Sequence, residues 1–195
     1  MLKQKGPLAL IILDGFGYSP AREGNAVALA KMPFYDEIRE KYPHTLIEAS
    51  GTCVGLPARV MGNSEVGHLN MGSGRVIMTD VRRIDHSIET GEFFSNEAFI
   101  AAMDGTKSRG GALHLLGLLS DGLVHSSQEH LYALLRMAKQ RGVKIVINTD
   151  SHRTTHLEKI KYGVLQARRA WLTKDDVLNT LPPDKFAKAM KRQAA

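Results

Sequence analysis

The stretch ALHLLGLLSDGLVHSSQEHLYALLRMAKQRGVKIVIN, residues 112–148, decides the fold class. It opens on an apolar run, 112–119, closed by the turn-forming Ser120-Asp121-Gly122. Ser126-x-x-Glu129 then has the form of a capping box, which satisfies free N–H groups at a helix start. Leu131, Leu134, Leu135 and Ala138 follow at helical spacing, and Gly142 stands where a left-handed residue closes a helix. Residues 143–148 are apolar again. Run, helix and run at this spacing predict a right-handed βαβ unit, with 112–119 and 143–148 as adjacent parallel strands joined by a helix over 126–141.

The same alternation extends in both directions. Residues 7–13 (PLALIIL) read as a strand buried on both faces, broken by Asp14-Gly15-Phe16-Gly17, and 44–49 as a second short strand. Residues 27–41, 79–90 and 96–103 read as helices. Downstream, Thr155-x-x-Glu158 is a second capping box, with Leu157, Ile160, Val164 and Ala167 on one helical stripe. Thr173-x-x-Asp176 predicts a short helix, and Pro182-Pro183-Asp184 a last one with Phe186 and Met190 inward. The expected class is α/β, with βαβ units in a parallel sheet.

Composition sets the outer limits. In 195 residues, 43% hydrophobic, there is apolar mass for a sizeable core, and no run approaches a membrane span. The N-terminus lacks the pattern of a secretory signal, and the lone Cys53 cannot form an internal disulfide. Together these point to the cytoplasm, with no membrane partner. Charge is uneven: residues 1–143 are neutral, while 144–195 carry 11 Lys and Arg against 5 acids, the whole of the net +6. The bland reading is a solvated helix face and the sharper one a polyanion site. Because the cations are dispersed among helical acids, nucleic acid is expected to bind only weakly, through the tail, and to release as salt rises.

Ligands collect at the carboxyl ends of parallel strands, and three expected strand ends carry an acid: Asp14, Asp121 and Asp150. Such an Asp is also a common turn former. At Asp14 the neighbouring Gly15 and Gly17 leave room for a phosphate or a hard divalent ion. Ser64, within Met61-Gly62-Asn63-Ser64-Glu65-Val66-Gly67-His68, sits at a helix start whose N–H groups suit a phosphate. Equally, Ser64 or Asn63 is an N-cap and His68 a core hydrogen-bonder. Asp121, His125, Asp150 and His152 are expected to converge at the ends of strands 112–119 and 143–148, as a site for Zn²⁺ or Mn²⁺.

LIILDGFG (10–17), GNAVALAKMPFYDEI (24–38), VGLPARVMGNSEVGHLNMGSGRVIMTDVRRID (54–85) and LHLLGLLSDGLVHSSQEHLYALLRMAKQRGV (113–143) together resemble cofactor-independent phosphoglycerate mutase. The resemblance covers residues 6–143. It implies an alkaline-phosphatase-like metalloenzyme of glycolysis, an isomerase interconverting 3-phosphoglycerate and 2-phosphoglycerate without 2,3-bisphosphoglycerate. By motif, Ser64 is the nucleophile that becomes phosphoserine and a metal ligand, Asp14 a manganese ligand (Mg²⁺ or Zn²⁺ being alternatives), and His125 a substrate contact. It also implies segments at 1–77 (alkaline-phosphatase-like) and 78–143 (start of the phosphotransferase domain), with 144–195 as a separate tail. The family's remaining Asp and His ligands lie in a part this sequence lacks. Thr149-Asp150-Ser151-His152-Arg153 stands where a TDGRD-like segment is expected. Turnover by this chain alone is therefore expected to be very low or nil.

The tail VKIVINTDSHRTTHLEKIKYGVLQARRAWLTKDDVLNTLP (143–182) resembles the end of the PHP domain of bacterial family X DNA polymerases. That resemblance implies Asp150 and His152 as metal ligands, although the H-x-H pair that opens such a domain is absent. The sequence thus reads as a mutase fragment joined to a PHP-like tail. The alternatives to a mutase are a metal-dependent PHP-type phosphoesterase and a noncatalytic α/β chimera.

Overall fold

A computed structural model describes residues 6–190. The chain divides into two compact units, Met1–Ile77 and Met78–Ala195. Among the described residues the regular structure is helical: α1 (Ala26–Leu29), α2 (Pro33–Lys41), α3 (Ser64–Ser73), α4 (Asp80–Thr90), α5 (Glu97–Ser108), α6 (Gln128–Gln140), α7 (Ile160–Arg169) and α8 (Pro183–Met190), with short 3-10 turns between them.

In the first unit the expected helix over 27–41 is two helices. Pro33 takes the first position of α2, where its missing N–H is harmless, whereas in a continuous helix its ring would collide with the preceding turn. Asn25 caps α1, accepting from the Ala28 N–H at 3.1 Å. Asn70 fastens α3 to the segments on either side of it, donating to the Val54 carbonyl at 2.9 Å and accepting from the Ile77 N–H at 2.8 Å. Leu56 and Val66 are buried. A Cβ built on Gly62 would lie 1.8 Å from the Ala49 carbonyl oxygen, so only glycine lets these two backbones approach.

The parallel sheet does not form among the described residues. Segments 7–13, 44–49 and 112–119 are extended or irregular and unpaired, with Leu8, Ile11, Ile47 and Leu116 more than four-fifths exposed. The physical reason is non-local. An apolar run becomes a strand only when neighbours satisfy its N–H and C=O groups and cover its faces. In 143–148 a single rung forms, a parallel bridge between Ile145 and Val177. The Ile145 N–H donates to the Asp176 carbonyl at 2.9 Å, and the Leu178 N–H donates to the Ile145 carbonyl at 2.8 Å. The Asn179 side chain extends this pairing, accepting from the Ile147 N–H at 2.8 Å and donating to its carbonyl at 3.0 Å. The neighbour of 143–148 is therefore the 177–179 segment, not 112–119.

In the second unit α6 is the central element. Tyr132 joins a cluster with Ala167, Ala170, Leu172 and Val177 from the tail, while Met137 and Ala138 join Met103 of α5, flanked by Phe94 and Phe99. Ile145 packs against both clusters. Residues on either side of Val143 within this unit thus share one core. The N-cap of α6 is Ser127, whose hydroxyl accepts from the Glu129 N–H at 3.3 Å, one residue later than the expected capping box. The neighbouring Ser126 hydroxyl is buried with no hydrogen-bond partner among the described residues.

Three helices end in the same Schellman geometry, in which two successive N–H groups turn back onto the last carbonyls. After α5, Gly110 and Gly111 donate to Lys107 and Thr106; after α6, Gly142 and Val143 donate to Lys139 and Ala138. After α7, Trp171 and Leu172 donate to Arg168 and Ala167. The left-handed residue is Gly110 (φ 60°), Gly142 (φ 71°) and Trp171 (φ 61°) respectively.

The tail departs from its expected pattern in other ways. No capping bond starts α7 at Thr155, which lies in a 3-10 turn, Thr154–Lys159. The stripe Leu157, Ile160 and Val164 is exposed. The buried side of α7 is instead made of small residues, Ala167 with Gly163, where a Cβ would lie 2.4 Å from Ile147 Cγ2. Close approach of the helix to the 145–147 segment excludes the larger side chains from that face. Thr173–Asp176 is a turn, not a helix: the Asp176 carboxylate accepts from the Thr173 N–H at 2.8 Å and hydroxyl at 2.9 Å. α8 forms as expected, with Phe186 half-buried but Met190 exposed.

Candidate functional site

The first unit brings together two residues fifty positions apart. Asp14 follows the extended segment 7–13 in a turn where the Phe16 N–H donates to the Leu13 carbonyl at 3.2 Å, with Gly15 left-handed at φ 73°. Ser64 is the first residue of α3. The cap itself is Asn63, whose Oδ1 accepts from the Val66 N–H at 3.0 Å, so the Ser64 hydroxyl is not spent on capping. That hydroxyl donates to Asp14 Oδ2 at 2.7 Å.

His68, one turn along α3, completes the local network. Its Nδ1 lies 2.8 Å from the Ser64 carbonyl oxygen and 3.3 Å from the Ser64 hydroxyl. Since the hydroxyl donates to Asp14, the tautomer that fits these contacts carries its proton on Nδ1 and donates to the Ser64 oxygens. His68 is exposed rather than a core residue. The Asp14 carboxylate also meets the first turn of α3, where the helix dipole favours negative charge.

This arrangement has a defined chemical bias. A carboxylate accepting from a serine hydroxyl disfavours the alkoxide, because deprotonation would set two negative charges side by side. A divalent cation between the same two oxygens would reverse that bias by stabilising the alkoxide. The donors are hard oxygens, the chemistry Mn²⁺ and Mg²⁺ prefer. They are nevertheless only two, whereas such an ion takes about six ligands. Among the described residues no group of three or more His, Cys, Asp or Glu side chains is placed to hold a metal. The residues present therefore do not fit a complete metal centre.

The expected foursome in the second unit is not assembled either. Asp121 and His125 are exposed in the irregular segment before α6. Asp150 is left-handed at φ 48°, with its N–H on Asn148 Oδ1 at 3.0 Å. His152 turns its Nδ1 to the Asp150 carbonyl at 2.8 Å, so it meets the Asp150 backbone and not its carboxylate. Without the sheet there is no common strand end to gather the four.

One pairing was absent from the sequence reading. His130 Nε2 on α6 lies 2.8 Å from Asp85 Oδ1 on α4, both side chains about four-fifths buried. Asp85 belongs to a charged face in which Arg82 pairs with Glu89 at 2.8 Å. The Arg82 hydrogen bond holds the Glu89 carboxyl below its ordinary range. No local pattern announces an interhelical pair 45 residues apart.

Residues 84–152 match the family described as BPG-independent PGAM N-terminus. The match runs through the α6 cap and beyond Val143, into the segment holding Asp150 and His152. The chain is 53% identical over 146 residues to a 2,3-bisphosphoglycerate-independent phosphoglycerate mutase of Methanosarcina barkeri, covering 75% of this chain and 28% of that mutase. It is 55% identical over 142 residues to the corresponding mutase of Clostridium perfringens, covering 73% and 28%. It is 50% identical over 162 residues to that of Clostridioides difficile, covering 82% and 31%. The chain thus spans somewhat over a quarter of the length of the curated relatives it matches. No helix among the described residues is long and apolar enough to cross a membrane.

Proposed function

We propose that this chain carries the serine-bearing part of a phosphoglycerate mutase site, one that interconverts 3-phosphoglycerate and 2-phosphoglycerate in glycolysis through a phosphoserine. In this reading Ser64 takes up the phosphoryl group and Asp14 is one of the manganese ligands. The observation that carries it is the 2.7 Å hydrogen bond between Ser64 and Asp14. The two residues that the mutase motifs assign to one centre meet across fifty positions, with the cap of α3 supplied by Asn63. The relatives at 50–55% identity are named as 2,3-bisphosphoglycerate-independent mutases, which supports phosphoglycerate as the substrate class.

Two oxygen donors do not enclose a divalent ion, so the isolated chain binds manganese weakly and turns over little or nothing. The test has two readouts. Manganese binding to the full chain, followed by electron paramagnetic resonance, is expected to be weak and to fall further in Asp14→Asn and Ser64→Ala. Conversion of 3-phosphoglycerate, followed by phosphorus NMR with manganese present, is expected to be undetectable. Binding that ignores both substitutions would overturn the site. Turnover abolished by Ser64→Ala would overturn its incompleteness.

A further inference from the structure

The end of α7 combines features that the Ser64 site does not use. Trp171, the one tryptophan of the chain, occupies a left-handed position that after α5 and α6 is filled by glycine. A bulky residue at φ 61° is strained, and such strain persists where surrounding structure holds it. Here the Lys139 ammonium donates to the Trp171 carbonyl at 2.6 Å, and the Schellman bonds fix both sides. The strain gains no burial, for Trp171 is 75% exposed.

Around it cations outnumber acids, the nearest carboxylate being that of Asp176, which pairs at 3.1 Å with the Lys139 ammonium that also donates to the Trp171 carbonyl. From Lys159 to Lys174 there are five cations and no acid. None of the five has an ion-pair partner among the described residues. The small residues of α7 face the core, which leaves Lys161, Leu165, Arg168 and Arg169 outward, with Tyr162 exposed beside them. Leu165, Gln166, Arg168 and Arg169 line a shallow, open recess. At about 100° per residue, cations and apolar side chains alternate around this exposed arc. A helix that lies in a membrane interface segregates them to opposite sides instead.

We infer that this face binds single-stranded nucleic acid, with a base stacked on Trp171 and the phosphates held by Arg168, Arg169 and Lys161. An exposed aromatic ring two and three positions after two exposed guanidinium groups without ion-pair partners offers what an unpaired base and its backbone require together. Stacking needs a free π-face, and phosphate needs cationic donors, which a guanidinium supplies in bidentate form and an ammonium as a point charge. Duplex DNA offers phosphates without free bases, and an acidic protein surface offers neither. The inference is independent of the Ser64 site.

Trp171 is also the reporter. A fluorescein-labelled 12-nucleotide oligothymidylate is titrated against the full chain at low salt, reading label anisotropy and tryptophan emission. The expected result is quenching of Trp171, with affinity that falls as salt rises. Trp171→Gly separates the binding role from a structural one. It is expected to raise the melting temperature, because glycine takes the left-handed position without strain, and to weaken binding by between about fivefold and a hundredfold. Replacing Arg168 and Arg169 by Gln is expected to reduce the salt dependence. Unchanged affinity in Trp171→Gly would overturn the proposal, as would equal competition by duplex DNA or polyphosphate. A blue shift on phosphatidylserine vesicles with no response to oligothymidylate would assign the face to a membrane surface instead.

Discussion

Met137→Ala tests whether α6 joins the two halves of its unit into one folding transition. Met137 is 1% exposed and packs with Met103 and Ala138. The substitution removes three buried heavy atoms, a transfer loss of about 2.5 kcal/mol at roughly 0.8 kcal/mol per group. The residual cavity brings the expected cost to about 3 kcal/mol, within the range for buried Met→Ala changes. For a domain of about this size, that lowers the melting midpoint by about 10–20 °C. Urea unfolding followed by circular dichroism gives the free energy, and hydrogen exchange in α5 and α7 gives its distribution. Because Ile145 packs against both clusters, exchange is expected to rise in α7 as well as α5. A loss below about 1 kcal/mol would refute the burial argument. Exchange confined to α5 would refute the coupling.

Two further outcomes follow from the local geometry. Backbone and side-chain hydrogen bonds from Thr173, with Lys139 at 3.1 Å, hold the Asp176 carboxyl below its ordinary value of 3.8. A carboxyl depressed by folding stabilises fully above the unfolded value and loses that contribution as pH falls through the folded one. Asp176→Asn is therefore expected to cost about 1–2 kcal/mol near neutral pH and almost nothing in strong acid, measured as urea midpoint against pH. Gly62→Ala forces a Cβ onto the Ala49 carbonyl, where backbone stands on both sides, whereas a Cβ at Gly67 meets nothing. Limited proteolysis between residues 49 and 64 is expected to accelerate in Gly62→Ala and not in Gly67→Ala; equal rates would remove the close approach as a determinant.

What was legible in the sequence is what chemistry settles within a turn or two. α4 and α5 begin where Thr79 and Asn96 can cap them, and Gly142 closes α6 in the predicted left-handed conformation. The α6 cap moved by one residue because Ser126 and Ser127 stand side by side and only the orientation of the chain chooses between them. The apolar runs 7–13 and 112–119 carried true hydrophobicity but no information about partners, and a strand is a property of pairs. Asp14 and Ser64 were legible only through their motifs, since nothing periodic links positions fifty apart. Asp85 and His130 had no motif to join them, so their pairing came from packing alone. The exposed arc of α7 was concealed by its own apolar stripe, which signals burial until Gly163 and Ala167 are seen to take the inner side.

The amide of Asn179 has a consequence for how this chain meets copies of itself. Beside Ile147 it mimics one peptide group, offering a donor and an acceptor at the spacing of a β-ladder. Unlike a peptide group, it is a dead end: its carbon stem carries no next residue to continue the register. A growing sheet that recruited strand after strand along this edge would find the docking site already filled by a side chain that cannot be extended. In the vocabulary of polymerisation, Asn179 is a chain terminator. Asn179→Ala would leave the Ile147 N–H and carbonyl without these partners.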